Sequence, residues 1–459
     1  MLDDLNYAKV TVYITNYNYG LYIRKAIDSV LSQTLTDWEL IIIDDGSSDN
    51  SREIIEEYVD APNIQIVYQQ NKGLNITNNV ALRLSSGKYI MRLDADDYIH
   101  PEALETLSSR LEKDNDLGLV FPDYYLVDKD GNVLSEERRH NFDNEVRLFD
   151  QAAHGACTMI RTDFLREVGG YNESYNCQDG YELWVKFTQK YKVSNVNQPL
   201  FYYRQHGSNL TGNENRILDT RASINANFVE EFGHNNGTLI IIPVRGGIQD
   251  IGLRSLNGKT LLEHKIEQAI LAKNGKKIVI SSPNEKVKEL IPKTYLKNGK
   301  VLFHHRVSSQ ARANVSLAGT MKDIIELDEL QDVEYKHILL LTVEYPFLKP
   351  HKIDDAVNTL VLFGSDSLIS VRPDHAIFYQ HHGDGMHAIM NRDRYTKLER
   401  EALFKQVGGI SVVKKEAFIK YHRVLVGTVG HMVIDQESAF GIFTEHDFQL
   451  AQLIQKNDH

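Results

Sequence analysis

The stretch KYIMRLDADDYIH, residues 88–100, runs from an apolar segment straight into three carboxylates, Asp94, Asp96 and Asp97. An apolar run that breaks off into acids reads as a strand ending at a polar edge. Alternate side chains of an extended chain share a face, so Asp94 and Asp96 are expected to point the same way. The bland alternative is an acidic turn before a helix, because Pro101 in HPEALETLSSRLEK holds the place of a first helical residue.

The same pattern recurs upstream. VTVYIT (10–15), IRKAIDSVLSQ (23–33), WELIIID (38–44), REIIEEYVD (52–60) and IQIVYQ (64–69) alternate short apolar runs with amphipathic segments, the signature of βαβ units around a parallel sheet. In such sheets ligands sit beyond the carboxyl ends of the strands. DDGSSD (44–49) follows one run and DADD (94–97) another, so both acidic clusters are expected on one edge. Asp and Ser are also turn and N-cap formers, and that reading coexists with the first.

After GHNNG (233–237) the pattern restarts with TLIIIPV (238–244) and the loop RGG (245–247), then KKIVIS, VLFHH, HILLLTV and SLISV, with helices such as KTLLEHKIEQAILAK between. The expectation is an α/β chain of two Rossmann-like mixed-sheet domains, residues 1–232 and 238–459, joined by a linker at 233–237. A chain of 459 residues supports two such cores. Its 42% apolar and 25% charged content is that of a globular protein, and a net charge of −12 from 51 bases and 63 acids argues against nucleic-acid wrapping. Two cysteines, Cys157 and Cys177, fit a reducing compartment. The N-terminus MLDDLNYAKV carries acids where a signal peptide needs bases, and no apolar run nears the ~20 residues that cross a bilayer. A cytoplasmic protein is expected. Attachment to the inner face of a membrane is compatible with this, and self-association is left open.

Four segments carry a resemblance over roughly the first 210 residues: VTVYITNYN, WELIIIDDGSSDNS, KGLNITNNVALRLSSGKYIMRLDADD and GGYNESYNCQDGYELWVKF. In this order they resemble the inverting family 2 glycosyltransferases of the GT-A fold. The resemblance implies that Thr15, Tyr17 and Asp45 receive the nucleotide base with Asp44 close by. It implies that Asp94 meets the ribose, that Asp96 ligates a Mn²⁺ or Mg²⁺ bridging the diphosphate, and that Asp179 is the general base. FYYRQHGSNLT (201–211) resembles the family's segment near the phosphates, with Arg204 as a forked donor and His206 as a donor or further metal ligand. An Arg/His pair leaving a strand also reads as a solvated exit, and Asp179 also reads as a helix N-cap. Where many relatives have Arg before Asn after the third strand, this chain has Asn78 before Asn79.

The chemistry asks for these residue types in its own right. Displacing a nucleoside diphosphate from a sugar carbon builds charge on the leaving oxygen, which a bound cation stabilises. The attacking hydroxyl must lose its proton, for which a carboxylate opposite the leaving group serves. The resemblance therefore implies a metal-dependent inverting transferase. Its donor would be a nucleotide-diphosphate sugar, its acceptor a glycan or glycolipid, and its setting bacterial surface polysaccharide synthesis.

The second half, from TLIIIPVRGG through HILLLTVEYPFLKPHKIDDAV to ESAFGIFTEHDFQLAQLI, resembles the sugar-acid cytidylyltransferases over about residues 238–455. The reactive set departs from that family. The loop reads RGGIQD, and an acid entering a triphosphate cradle repels it. Gly441, Ile442 and Phe443 stand where metal-binding acids are expected. Arg245, Gly246 and Gly247 are read as the remnant of the loop, and the domain as non-catalytic. Two alternatives remain: a bifunctional chain whose second half still activates a sugar with a nucleotide triphosphate, and a carbohydrate-binding or oligomerisation module. The histidine groups in FHHR (303–306) and QHHGDGMH (380–387) are read as polar rather than zinc-binding, because adjacent histidines diverge.

Overall fold

The computed structural model describes residues 8–138, 142, 155–206, 213–232, 237–245, 251–297, 299–312, 315–374, 378–381, 383, 386–388, 396–398 and 403–457. The chain forms two compact units, Met1–Arg221 with Ala376–Ala402, and Ala222–His375 with Leu403–His459. Their division falls within a helix, and the expected linker at 233–237 lies outside the described residues except for Gly237.

The first unit runs β1 (Val10–Asn16), α1 (Ile23–Leu31), β2 (Trp38–Asp44), α2 (Ser51–Glu56), β3 (Ile64–Tyr68), α3 (Leu74–Leu84), β4 (Tyr89–Asp94) and β5 (Tyr98–Ile99). It continues with α4 (Ala103–Glu112), β6 (Leu117–Val127), β7 (Val133–Arg138), β8 (Met159–Arg161), α5 (Thr162–Glu167), α6 (Asp179–Lys190), β9 (Lys192–Arg204) and the first part of α7 (Glu214–Glu231), the helix in which the division falls. The sheet order is β7-β6-β8-β4-β1-β2-β3, with a short strand, Thr396–Leu398, beyond β7 and with β9 paired to β5 and β6. β3, β2, β1 and β4 are parallel, and β8 pairs antiparallel with both β4 and β6.

The apolar runs are nearly continuous because both faces of the parallel strands are covered. Val10, Val12 and Ile14 pack with Ile23, Ala26, Ile27 and Val30 of α1, whereas Tyr13 packs into the opposite layer with Trp184 and Phe187 of α6. That α1 quartet has the i, i+3, i+4, i+7 spacing of one helical face. Each fully buried aliphatic side chain contributes about 1.5–3 kcal/mol, so this stripe fixes the helix on the sheet.

Strand register then places the polar ends together. Asn16 lies opposite Asp44, and Thr15 opposite Asp94, at one edge of the parallel sheet. Two local expectations are corrected. β4 stops at Asp94, so Asp96 lies in the following turn and its direction is not set by strand alternation. Helix α4 begins at Ala103, not at Pro101, whose carbonyl accepts from the backbone N–H of Thr34 (2.9 Å).

The second unit is a seven-stranded mixed sheet in the order Val301–His305, Gly275–Ser282, Thr238–Pro243, His337–Leu341, Leu403–Lys414, Ser367–Asp374, Val429–Val433. Ile240 and Ile242 face one layer while Leu239 and Ile241 face the other. Helix Leu261–Leu271 opens on a reciprocal capping box between Thr260 and Glu263. His304 turns inward, its Nδ1 3.0 Å from Ser281 Oγ, while His305 turns out to Glu285 at 2.7 Å. The adjacent pair thus diverges. Among the described residues no helix is long and apolar enough to cross a membrane.

Lys265 is fully buried in this unit, with Nζ donating to the Tyr345 carbonyl at 2.6 Å. Burial pushes its ammonium down to about 7 against the opposing pull of Glu344. The unfolded lysine holds its proton to about pH 10.4, so between the two values the unfolded state binds more protons and stability rises with pH. Chemical denaturation should show a gain of about 2 kcal/mol from pH 7 to 9 that is absent in Lys265→Met. A flat profile in the native chain would remove the assignment.

Candidate active site

The carboxyl edge of β1, β2 and β4 carries three linked groups of polar side chains. The first is at β2. Asp44 is fully buried and accepts from Asn16 Nδ2 (2.9 Å), Arg52 Nε (3.2 Å) and the Ser47 N–H (3.3 Å). Asp45 accepts from Gln69 Nε2 (2.7 Å) and from the N–H groups of Lys72 (2.8 Å) and Gly73 (2.9 Å), so it organises the loop after β3. Gly46 makes this turn possible: its φ is +82°, and a Cβ there would lie 2.7 Å from the Asn71 nitrogen. Tyr17, 48% exposed, leaves its ring open beside this rim.

The second group is at the end of β4. Thr15 Oγ1 donates to Asp94 Oδ1 at 3.1 Å. Arg92 sits opposite Tyr13 in register, so its side chain enters the buried layer that holds α6. Its Nε lies 3.0 Å from Asp94 Oδ1, an ion pair without hydrogen-bond alignment, and its Nη1 donates to Asp179 Oδ2. Asp94 and Asp179 are thereby joined through one guanidinium. Burial pushes the Asp94 carboxyl up to about 6 despite Arg92, with Asp96 and Asp179 adding to the rise. Burial opposes the charge on Arg92, and the attraction of Asp179 and Asp94 more than offsets it, raising its affinity for the proton. Asp179 is the first residue of α6, one past the N-cap position, which Gln178 holds in the left-handed region without a capping hydrogen bond. The N-cap expectation for Asp179 is corrected: its carboxylate is drawn sideways to Arg92.

The third group is the turn after β4. His206 Nε2 lies 2.8 Å from Asp96 Oδ2, and its ring stacks on Tyr22 (centroids 5.4 Å apart) and meets Tyr19 edge-on (5.6 Å). Asp97 is 1% exposed and accepts the Arg204 N–H at 2.8 Å. Its Oδ2 has no hydrogen-bond partner among the described residues, and burial with Asp96 and Asp94 nearby holds its carboxyl well above the usual range. Burial, then the same three acids, also raises the Tyr19 phenol. Arg204 donates from Nε to the Asp96 carbonyl (2.8 Å) and from Nη1 to those of Asp128 (3.2 Å) and Lys129 (2.9 Å), and it lies over Tyr22. In this structure its fork braces the turn that carries Asp96.

Excess buried negative charge at this turn, an orphaned carboxylate oxygen and a facing carboxylate–imidazole pair make a donor set that fits manganese or magnesium. Neighbouring ligands of an octahedral ion at about 2.1 Å lie roughly 3 Å apart, close to the Asp96–His206 separation. Among the described residues no group of three or more His, Cys, Asp or Glu converges on a metal position. The chain would supply two ligands and the substrate phosphates the others.

Thr15, Asp94 and Asp179 are thus brought into one network, Asp96 and His206 into a second beside it, and Asp44 and Asp45 into a third. Of the RGG loop, Gly246 and Gly247 lie outside the described residues, and Arg245 is exposed. Sequence reading missed Arg92, although a cation inside the apolar run YIMRL is itself a signal that an acid waits across the layer.

Residues 11–169 match the family model of glycosyl transferase family 2, and residues 239–381 that of the cytidylyltransferases. The chain therefore carries a family 2 glycosyltransferase domain followed by a cytidylyltransferase domain. It is 31% identical over 201 residues to a chondroitin synthase of Escherichia coli, covering 44% of this chain and 29% of that protein. To a hyaluronan synthase of Pasteurella multocida it is 32% identical over 203 residues, covering 44% of this chain and 21% of that one. The chain spans less than a third of the length of either relative. The crystal structure of S. aureus TarS 1-349 aligns with 48% of this chain and 65% of its own, at 18% identity and a TM-score of 0.40.

Proposed function

We propose that the first unit is a metal-dependent, inverting glycosyltransferase that moves a sugar from a nucleotide-diphosphate donor to a hydroxyl of a glycan or glycolipid in surface polysaccharide synthesis. The observation that carries this reading is the meeting of Asp94, Asp96 and Asp179 at one sheet edge, within a domain that matches family 2. Thr15, Tyr17 and Asp45 would receive the nucleotide, with Asp44 buried behind them holding Asn16 and the Ser47 N–H, and Asp94 would meet the ribose. Asp96 and His206 would hold the divalent cation, which when bound stabilises charge on the departing diphosphate. Asp179 takes the proton from the acceptor hydroxyl as that oxygen bonds to the anomeric carbon. Displacement from the face opposite the leaving group inverts the anomeric configuration.

The second unit we read as non-catalytic. Phe443, where a metal-binding acid was expected, is 66% exposed and packs edge-on against Tyr345 with centroids 5.8 Å apart. Gly441 lies between them, since a Cβ there would come within 2.9 Å of Tyr345 and 2.5 Å of Phe443. Neither Gly441, Ile442 nor Phe443 has a side-chain oxygen to offer a hard cation.

The test is nucleoside diphosphate release from a panel of UDP-, GDP-, CDP- and dTDP-sugars with glycan acceptors. The expected result is release from one donor class that needs Mn²⁺ or Mg²⁺ and stops with chelator. No release from any donor, or release indifferent to chelator, would overturn the reading.

A further inference from the structure

We propose that Arg92 is a positioning residue that fixes the base Asp179 relative to the donor edge, by holding Asp179 and Asp94 in one planar fork. The proposal rests on the glycosyltransferase reading above. Among the described residues, the hydrogen bond from Arg92 is the one that the Asp179 carboxylate receives from a side chain. The N-cap position of its helix is held by Gln178, whose side chain makes no capping hydrogen bond. The rotamer of the base is therefore set by a residue on a strand rather than by α6.

Arg92 is in turn held firmly. Its side chain is 5% exposed, one edge faces Asp94 (Nε 3.0 Å from Oδ1, Nη2 3.5 Å from Oδ2), and Nη1 faces Asp179. Tyr13 and Tyr171, whose hydroxyls are 3.1 Å apart, lie near enough to strengthen its hold on the proton. Gly155 is packed against the pair: a Cβ there would lie 2.6 Å from Arg92 Nη2 and 2.7 Å from Asp179 Oδ2. With both contacts at side-chain tips, a methyl at 155 must displace the pair itself.

A guanidinium is rigid and planar, so Nη1 on Asp179 and Nη2 on Asp94 (3.5 Å) keep the two carboxylates in one mutual relation, with the Nε–Asp94 contact adding charge attraction without alignment; an ammonium on a flexible stem does not reproduce this. One carboxylate belongs to the donor edge and the other is the base. Arg92 thus sets the angle between the sugar carbon and the group that deprotonates its attacker, and a displacement of about 1 Å in such an arrangement costs about 100-fold in rate.

Arg92→Lys and Gly155→Ala, made in the full chain, test this. Both should lower kcat for transfer about 100-fold while the donor KM stays within about threefold. In an Asp179→Asn background Arg92→Lys should cost nothing further, because it acts through the base that is already gone. An equal loss in both backgrounds, or full kcat in both single variants, overturns the assignment while leaving the glycosyltransferase reading in place. Gly155→Ala keeps both charges and decides the matter if Arg92→Lys does not fold. A native chain inactive with every donor overturns both.

Discussion

Asp179→Asn is expected to lower kcat for sugar transfer by about 10²–10⁴, the contribution of a positioned general base, with the donor KM within about threefold of the native value. The amide keeps the shape of the carboxylate, and its oxygen still accepts from Arg92, whose second partner Asp94 is untouched. Folding should survive the change, which circular dichroism and the melting temperature would check. The loss must therefore appear in the chemical step: the acceptor hydroxyl reaches the anomeric carbon but has nowhere to place its proton. Steady-state kinetics with the donor identified by the panel, at saturating acceptor, measures it. Transfer at the native rate would mean that another group takes the proton and that Asp179 only anchors Arg92.

Much of the site was legible because strand ends are. An apolar run followed by acids at Asp44–Asp45 and again at Asp94–Asp97 places both clusters on one edge without knowledge of any contact, since parallel strands end together. What could not be read depends on partners distant in sequence. Arg92 meets Asp179 across 87 positions. That Arg204 also donates to the carbonyls of Asp96, Asp128 and Lys129 was not legible. The start of α4 at Ala103, two residues after Pro101, was not legible either; a turn closed by the Ala103 N–H on the His100 carbonyl precedes it. The addition of strand Thr396–Leu398 beside β7 joins segments about 260 residues apart in the chain and leaves no local trace in either.

Asp96→Ala is the second change of large expected effect. It removes the carboxylate that faces His206 Nε2 at 2.8 Å and leaves one protein ligand where two were placed. Losing one stabiliser of the leaving diphosphate costs about 10²–10³ in kcat at a site of this kind.

The most direct measurement is the melting temperature of the native chain and of Asp96→Ala with UDP, GDP, CDP or dTDP, each with Mn²⁺ and with chelator. A ligand at about 100 times its Kd stabilises the folded state by about 2.7 kcal/mol, enough for a clear shift. One diphosphate should raise the melting temperature of the native chain only when Mn²⁺ is present, and should do nothing for Asp96→Ala. No shift with any diphosphate, or a shift that persists in chelator and in Asp96→Ala, would contradict a cation held at the end of β4.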